Sequence, residues 1–139
     1  MTNADVGVRQ AAAAGADLGA MPVWNLGDLY PSPTSAEFQR DLDKAAADAK
    51  RIAETYKGKL AGLGKDGAAL AKAVKAYEAL SDVMGRLGSY AGVLYAADTT
   101  DPAKAKFYGD VQEKLTAIST DLVFFELELH LIEEARCAL

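Results

Sequence analysis

The feature that most constrains the fold is a stripe of apolar side chains that recurs every three or four residues through the last third of the chain. This spacing places all members on one face of an α-helix, whereas a half-buried strand needs a two-residue period. The stripe consists of Phe107, Val111, Leu115, Ile118, Leu122, Phe125, Leu129 and Ile132. Residues 126–131 also alternate between polar and apolar, which alone would suit a strand, but they continue the helical phase. Asp101 as N-cap and Pro102 at the first helical position predict where this helix begins.

A second stripe predicts a helix near residue 34. Thr34 followed by Glu37 is a capping box, in which each of the two residues satisfies a free backbone N–H. Gly58 is the expected C-terminal stop. The apolar face between them consists of Phe38, Leu42, Ala45, Ala49, Ile52 and Tyr56. The sequence therefore predicts one amphipathic helix here.

A third stripe lies between these two. Asp66 is the expected N-cap of a long helix. Its apolar positions are Leu70, Val74, Tyr77, Leu80, Met84, Leu87, Ala91 and Leu94. Two interpretations stay open: a single helix with a bend near Gly85 and Gly88, or a break with Ser81 capping a separate helix.

Together these patterns predict an all-α fold, a bundle of three long antiparallel helices, or four if the middle one breaks. The apolar patch at residues 24–30 ends at Pro31, with Pro33 close behind, and predicts an extended segment laid across the helices. Residues 1–22 lack periodic apolar positions and predict a mobile leader, or at most a short helix over residues 11–14. Residues 23–139 are then a single helical domain.

Charge and composition narrow the functional classes. The net charge of −5 argues against a nucleic-acid partner, which needs a basic surface. Asp5 and Asp17 interrupt the N-terminal region, so it does not resemble a secretory signal, and no run approaches the roughly 20 apolar residues of a membrane span. The single cysteine, Cys137, excludes an intrachain disulfide. We expect a cytoplasmic protein with no membrane partner.

Two glycine patterns have functional and structural interpretations. Gly62, Gly64 and Gly67 match the Gly-x-Gly-x-x-Gly spacing of dinucleotide sites, but that chemistry requires a preceding strand, so we interpret the segment as a linker. Small residues within the middle helix favour close approach of two helices over ligand contact. These residues are Gly85, Gly88 and Gly92.

One cluster carries metal-ligand chemistry. Glu126, His130 and Glu133 share a helix face, and carboxylate and imidazole groups can bind a metal ion. A metal site in a bundle needs ligands from facing helices, and the chain has no second histidine, so a solvated charged face is the favoured interpretation. Cys137 has only Arg136 as a neighbouring cation and is interpreted as incidental. We assign no catalytic, metal-binding or substrate-binding residue in this chain.

The last helix carries more apolar side chains than one face can hold. Beside the main stripe stand Val123, Phe124, Leu127 and Leu131. In a three-helix bundle each helix buries only one face against the other two, so these additional apolar side chains remain uncovered. They predict either self-association through the third long helix or packing against a larger body.

Three segments, in order, resemble the oligoendopeptidase F family of zinc metallopeptidases, relatives of thimet oligopeptidase. The first is Trp-Asn-Leu-Gly-Asp-Leu-Tyr-Pro at residues 24–31. The second runs over residues 85–102 and ends in Asp-Thr-Thr-Asp-Pro, and the third is residues 122–129 with Phe-Phe-Glu at its centre. The resemblance covers residues 23–132.

The resemblance implies the N-terminal helical lobe of an enzyme that encloses short peptides in a channel and hydrolyses them at zinc. In that family a His-Glu-x-x-His helix and a further Glu bind the metal, and this chain contains no such motif. The chain alone is therefore expected to bind no cofactor and to be inactive, with the remainder of a peptidase as its partner. The alternative is a free-standing helical interaction or dimerisation module.

Overall fold

The computed structural model describes residues 25–137, with side chains through Ile132. Within that range the secondary structure is entirely helical: α1 (Ala36–Tyr56), α2 (Leu60–Leu63), α3 (Gly67–Ala97) and α4 (Pro102–Cys137). The predicted all-α bundle is confirmed. The segment before α1 is non-helical and contains a turn, in which the backbone N–H groups of Leu29 and Tyr30 donate to the Leu26 carbonyl. The predicted mobile leader, residues 1–22, lies outside the described residues.

Helix α1 begins one residue later than predicted. Its N-cap is Ser35, whose Oγ accepts the backbone N–H of Phe38 at 3.3 Å. The Ser35 N–H donates to the Ser32 carbonyl at 3.1 Å, which closes a turn over Pro33 and leaves Thr34 outside the helix. The capping box predicted at Thr34 is therefore wrong, because either neighbouring hydroxyl could cap and the turn selects Ser35.

The connection after α1 is more structured than the predicted linker. The chain leaves α1 through Gly58, whose φ of 77° suits glycine and confirms the expected stop. Leu60 then starts the single helical turn of α2 and is fully buried, at 0 % exposure. One apolar residue among glycines carries little periodic signal, which explains why α2 was not predicted.

Helices α3 and α4 begin where the sequence predicted. Asp66 accepts the backbone N–H groups of Ala68 and Ala69, each at 3.1 Å. Asp101 accepts that of Ala103 at 2.8 Å, directly before α4. Helix α3 is continuous over 31 residues, so the alternative of a separate helix capped by Ser81 is wrong.

Contacts at both ends of the bundle fix the helix directions. The start of α1 meets the later part of α3 and the start of α4, since the Phe38 ring lies 5.6 Å from that of Tyr90 and 5.2 Å from that of Phe107. The end of α1 meets the distal part of α4, where Gly58 contacts Glu128. Helix α3 is therefore antiparallel to both α1 and α4.

The core lies along the axis shared by the three long helices and forms one contiguous cluster. Every buried member is apolar or tyrosine. The fully buried large side chains are Phe125, Leu60 and Leu87. No helix of the described chain combines the length and apolar character needed to cross a bilayer.

Candidate functional site

The surface that the fold leaves unsatisfied lies on the back of α4. Val123, Leu127 and Leu131 are 55 %, 61 % and 58 % exposed. They are four residues apart, so they form one row along the helix, opposite the buried face that contains Leu122 and Phe125. We call Val123, Leu127 and Leu131 the outer stripe. The predicted excess of apolar surface is confirmed for these three residues.

Phe124, the fourth residue of that prediction, does not belong to the outer stripe. It is partly buried and packs against the core, with its ring 6.0 Å from that of Phe125. Its position beside the buried stripe lets a long aromatic side chain fold back towards the core. The exposed apolar surface is therefore narrower than the sequence suggested.

A groove between α3 and α4 adjoins the outer stripe. It encloses about 350 Å³ and has an apolar floor with hydroxyl groups and one carboxylate at its edges. We call it the α3–α4 groove, and its lining consists of Tyr77, Ser81, Met84, Ser119, Leu122, Val123 and Glu126. Val123 belongs to both the groove and the outer stripe, so the two surfaces are continuous.

Tyr77 and Glu126 set the electrostatics of the groove. The Tyr77 hydroxyl donates to Glu126 Oε1 at 2.8 Å, and the Tyr77 ring stacks on Phe125 with centroids 4.5 Å apart. Burial, and then the hydrogen bond to Glu126, raise the pKa of Tyr77, so the hydroxyl stays protonated as a donor. No described residue donates a hydrogen bond to Glu126 Oε2, which leaves this oxygen able to accept from a partner.

The other two helix–helix grooves have cationic side chains in their linings. The groove between α1 and α4, about 320 Å³, contains Lys50 and Lys114 beside two aspartates. The groove between α1 and α3, about 250 Å³, contains Arg51 and Lys72. Among these three surfaces only the α3–α4 groove has a carboxylate and no cation in its lining.

A second polar cluster fastens the N-terminal segment to the bundle. Tyr30 is 2 % exposed, and its hydroxyl donates to Asp41 Oδ2 at 3.0 Å and accepts from Arg86 Nε at 3.2 Å. Arg86 also binds the same Asp41 oxygen at 3.1 Å. Burial is the main cause that raises the pKa of Tyr30. This network joins the segment at residues 25–31 to α1 and α3 and has a structural role.

Glu128 has a role that the sequence did not reveal. Its two carboxylate oxygens accept the backbone N–H groups of Gly58 at 2.6 Å and Leu60 at 3.2 Å. These donors lie in the turn that leads into α2 and at its first residue, about 70 residues away from Glu128 along the chain, so no local motif marks the pair.

The residues predicted as possible metal ligands are only partly described. Glu126 is engaged by Tyr77, His130 is exposed, and the side chains of Glu133 and Cys137 lie outside the described set. Among the side chains that are described, no three histidine, cysteine or acidic groups are placed to hold a metal ion.

The helical glycines differ in what surrounds them. A Cβ at Gly88 would lie 3.3 Å from Leu115 Cδ1, and one at Gly92 would lie 3.7 Å from the Tyr108 ring. The predicted close approach of helices is confirmed at these two positions. A Cβ at Gly85 would meet nothing within 4 Å, so close packing does not explain that glycine.

Compared with protein-family models, curated proteins and solved structures, the chain matches none of them. The functional assignment therefore depends on the residues of the chain itself.

Proposed function

We propose that this chain is the helical, substrate-enclosing N-terminal lobe of a zinc-dependent oligoendopeptidase that hydrolyses short peptides. Two things support the proposal: the ordered resemblance of residues 24–31, 85–102 and 122–129 to the oligoendopeptidase F family, and the outer stripe on α4. The observation that carries it is the outer stripe, because a lobe must present an apolar face to the body on which it packs.

The free energy available from burying the outer stripe fits packing against a larger body. Burying a leucine or valine side chain stabilises by about 1.5 to 3 kcal/mol, so covering the exposed half of three such side chains contributes roughly 3 kcal/mol. That is enough to orient a lobe already attached through the chain. Without the adjoining α3–α4 groove, the outer stripe alone contributes too little to hold two separate molecules together at low concentration.

The chemistry of the reaction belongs to the body. The described side chains contain no ligand set that fits a zinc centre, so no step of peptide hydrolysis is assigned to this chain. Its own contribution is a rigid wall: three long helices with a continuous apolar core, which would admit short peptides and exclude folded proteins. The 139-residue chain alone is predicted to cleave no peptide.

A chimera tests the proposal. Residues 23–132 would replace the corresponding segment of an oligoendopeptidase F, and hydrolysis of a quenched short peptide would be measured with and without a zinc chelator. We expect zinc-dependent cleavage that is reduced by the double substitution Val123→Ser and Leu127→Ser. Glu113→Ser is the matched control, because Glu113 is also exposed on α4 but lies about 21 Å along the axis from Leu127.

A second chimera that carries an unrelated three-helix bundle sets the baseline. If the two chimeras have the same activity, the assignment as a peptidase lobe is wrong. Sedimentation of the isolated chain separates the alternative function: a monodisperse dimer that Leu127→Ser dissociates would favour a free-standing dimerisation module.

A further inference from the structure

The outer stripe and the α3–α4 groove form one continuous surface whose shape selects the kind of partner. The stripe from Val123 to Leu131 extends about 12 Å along α4, which is more than two helical turns. The groove runs beside it, with Met84 and Leu122 in its floor. A groove of this kind between two helices accommodates the apolar ridge of a third helix, with anchors spaced by three and four residues.

The charge of this surface indicates that the partner helix carries a cation. Glu126 brings a carboxylate to the edge of the groove, Tyr77 occupies Oε1, and Oε2 has no donor among the described residues. An apolar helix that covers this edge removes water from the carboxylate, so the complex is favoured when the helix supplies a cation. The exposed hydroxyls of Ser81 and Ser119 line the same groove and can accept from an ammonium or guanidinium group.

A second copy of the chain does not meet these requirements. A two-fold contact centred on Leu127 would bring Glu126 of both copies to the interface, and the groove lining offers no cation to pair with them. The outer stripe exposes roughly 300 Å² of apolar surface at most, far below the roughly 800 Å² per partner of a stable interface. The chain also carries a net charge of −5, which disfavours self-association further.

We infer that the α3–α4 groove and the outer stripe together bind one amphipathic helix that places a Lys or Arg side chain against Glu126. This inference rests on the proposed function in so far as the helix belongs to the peptidase body. The apolar contacts supply the affinity, and the pair with Glu126 sets the position of the helix along the groove.

Synthetic peptides test the inference on the full 139-residue chain. Three helical peptides of about 18 residues would share an apolar face and differ at one flanking position, occupied by Lys, Gln or Glu. Binding would be followed by fluorescence anisotropy at low and high salt. We expect the Lys peptide to bind about two- to fivefold more tightly than the Gln peptide at low salt, and the Glu peptide to bind most weakly.

Two substitutions separate the apolar and charged contributions. Glu126→Gln should remove the ranking of the three peptides and leave the affinity of the Gln peptide nearly unchanged. Leu127→Ser should weaken all three peptides about five- to tenfold. Tyr77→Phe keeps the carboxylate and should preserve the ranking, and Glu113→Gln should change nothing.

Three results would overturn the inference: no saturable binding of the Lys peptide, an unchanged ranking in Glu126→Gln, or a dimer in sedimentation. Failure of this inference can be distinguished from failure of the proposed function. An inactive chimera together with the expected peptide ranking rejects the peptidase assignment alone. An active chimera without the ranking rejects the basic helix alone.

Discussion

Replacement of Tyr30 tests how firmly the N-terminal segment is held on the bundle. The Tyr30 ring packs edge-on against Phe38 and Tyr90, with centroids 5.0 and 5.3 Å away, and its hydroxyl joins the pair Asp41–Arg86. Because residues 25–31 belong to the first segment that resembles the peptidase family, their anchoring is relevant to the proposed lobe as well as to stability.

Two substitutions divide the expected loss between packing and hydrogen bonding. Tyr30→Ala removes a 2 % exposed ring and should lower the free energy of unfolding by about 3 to 5 kcal/mol, as is typical for large-to-small core changes. Tyr30→Phe keeps the ring and the Asp41–Arg86 ion pair, so this substitution should lower the free energy of unfolding by only about 1 kcal/mol. The Arg86 side chain is 46 % exposed, and this exposure to water limits how much its hydrogen bonds and ion pair contribute to stability.

Urea unfolding followed by circular dichroism at neutral pH measures both values, with Leu29→Ala as a control at a neighbouring exposed position. A loss below about 1 kcal/mol in Tyr30→Ala would show that the segment is not fastened to the bundle in solution. A loss in Tyr30→Phe as large as in Tyr30→Ala would show that the polar network dominates, contrary to the reasoning from burial.

Three other predictions follow from single contacts. Gly85→Ala should raise the free energy of unfolding by about 0.5 to 1 kcal/mol, whereas Gly88→Ala should give no such gain because its Cβ meets Leu115; thermal unfolding of both variants checks this. Glu128→Gln should destabilise by about 1 kcal/mol or more relative to Glu113→Gln in urea, since its carboxylate holds two backbone N–H groups. Burial raises the pKa of the Tyr90 hydroxyl above 10.0. The stability that the protonated hydroxyl contributes is therefore complete below pH 10.0 and is lost as the pH rises further. In an alkaline titration, the free energy of unfolding of Tyr90→Phe should fall less steeply with pH than that of the unsubstituted chain.

The fold followed from the sequence because three long apolar stripes leave little choice of architecture. The buried faces contain the predicted positions, such as Leu42 in α1 and Phe125 in α4, and the caps at Asp66 and Asp101 mark their helix starts. Two kinds of feature escaped prediction: the local choice of Ser35 over Thr34 as the cap of α1, and the features that depend on tertiary contacts.

The candidate site shows the same division. The exposed Leu127 followed from counting apolar residues around one helix, whereas the groove depends on how α3 packs on α4. The Tyr77–Glu126 hydrogen bond joins residues 49 positions apart, and no periodic pattern encodes it. The role of Glu128 was not predicted for the same reason, because its hydrogen-bond donors lie far away along the chain.

The exposed apolar residues of α4 are confined to its second half, which limits where the proposed lobe could contact a partner. In the first half of the helix the outer face is polar, and the hydroxyls of Thr116 and Thr120 bond back to backbone carbonyls four residues earlier. The outer stripe begins only at Val123, so the exposed apolar surface of α4 is confined to the end of the bundle where Glu128 binds the α1–α2 turn. The opposite end is closed by the aromatic cluster around Tyr30. A partner that covered the outer stripe would therefore contact this end of the bundle and would leave the anchored N-terminal segment at the other end uncovered.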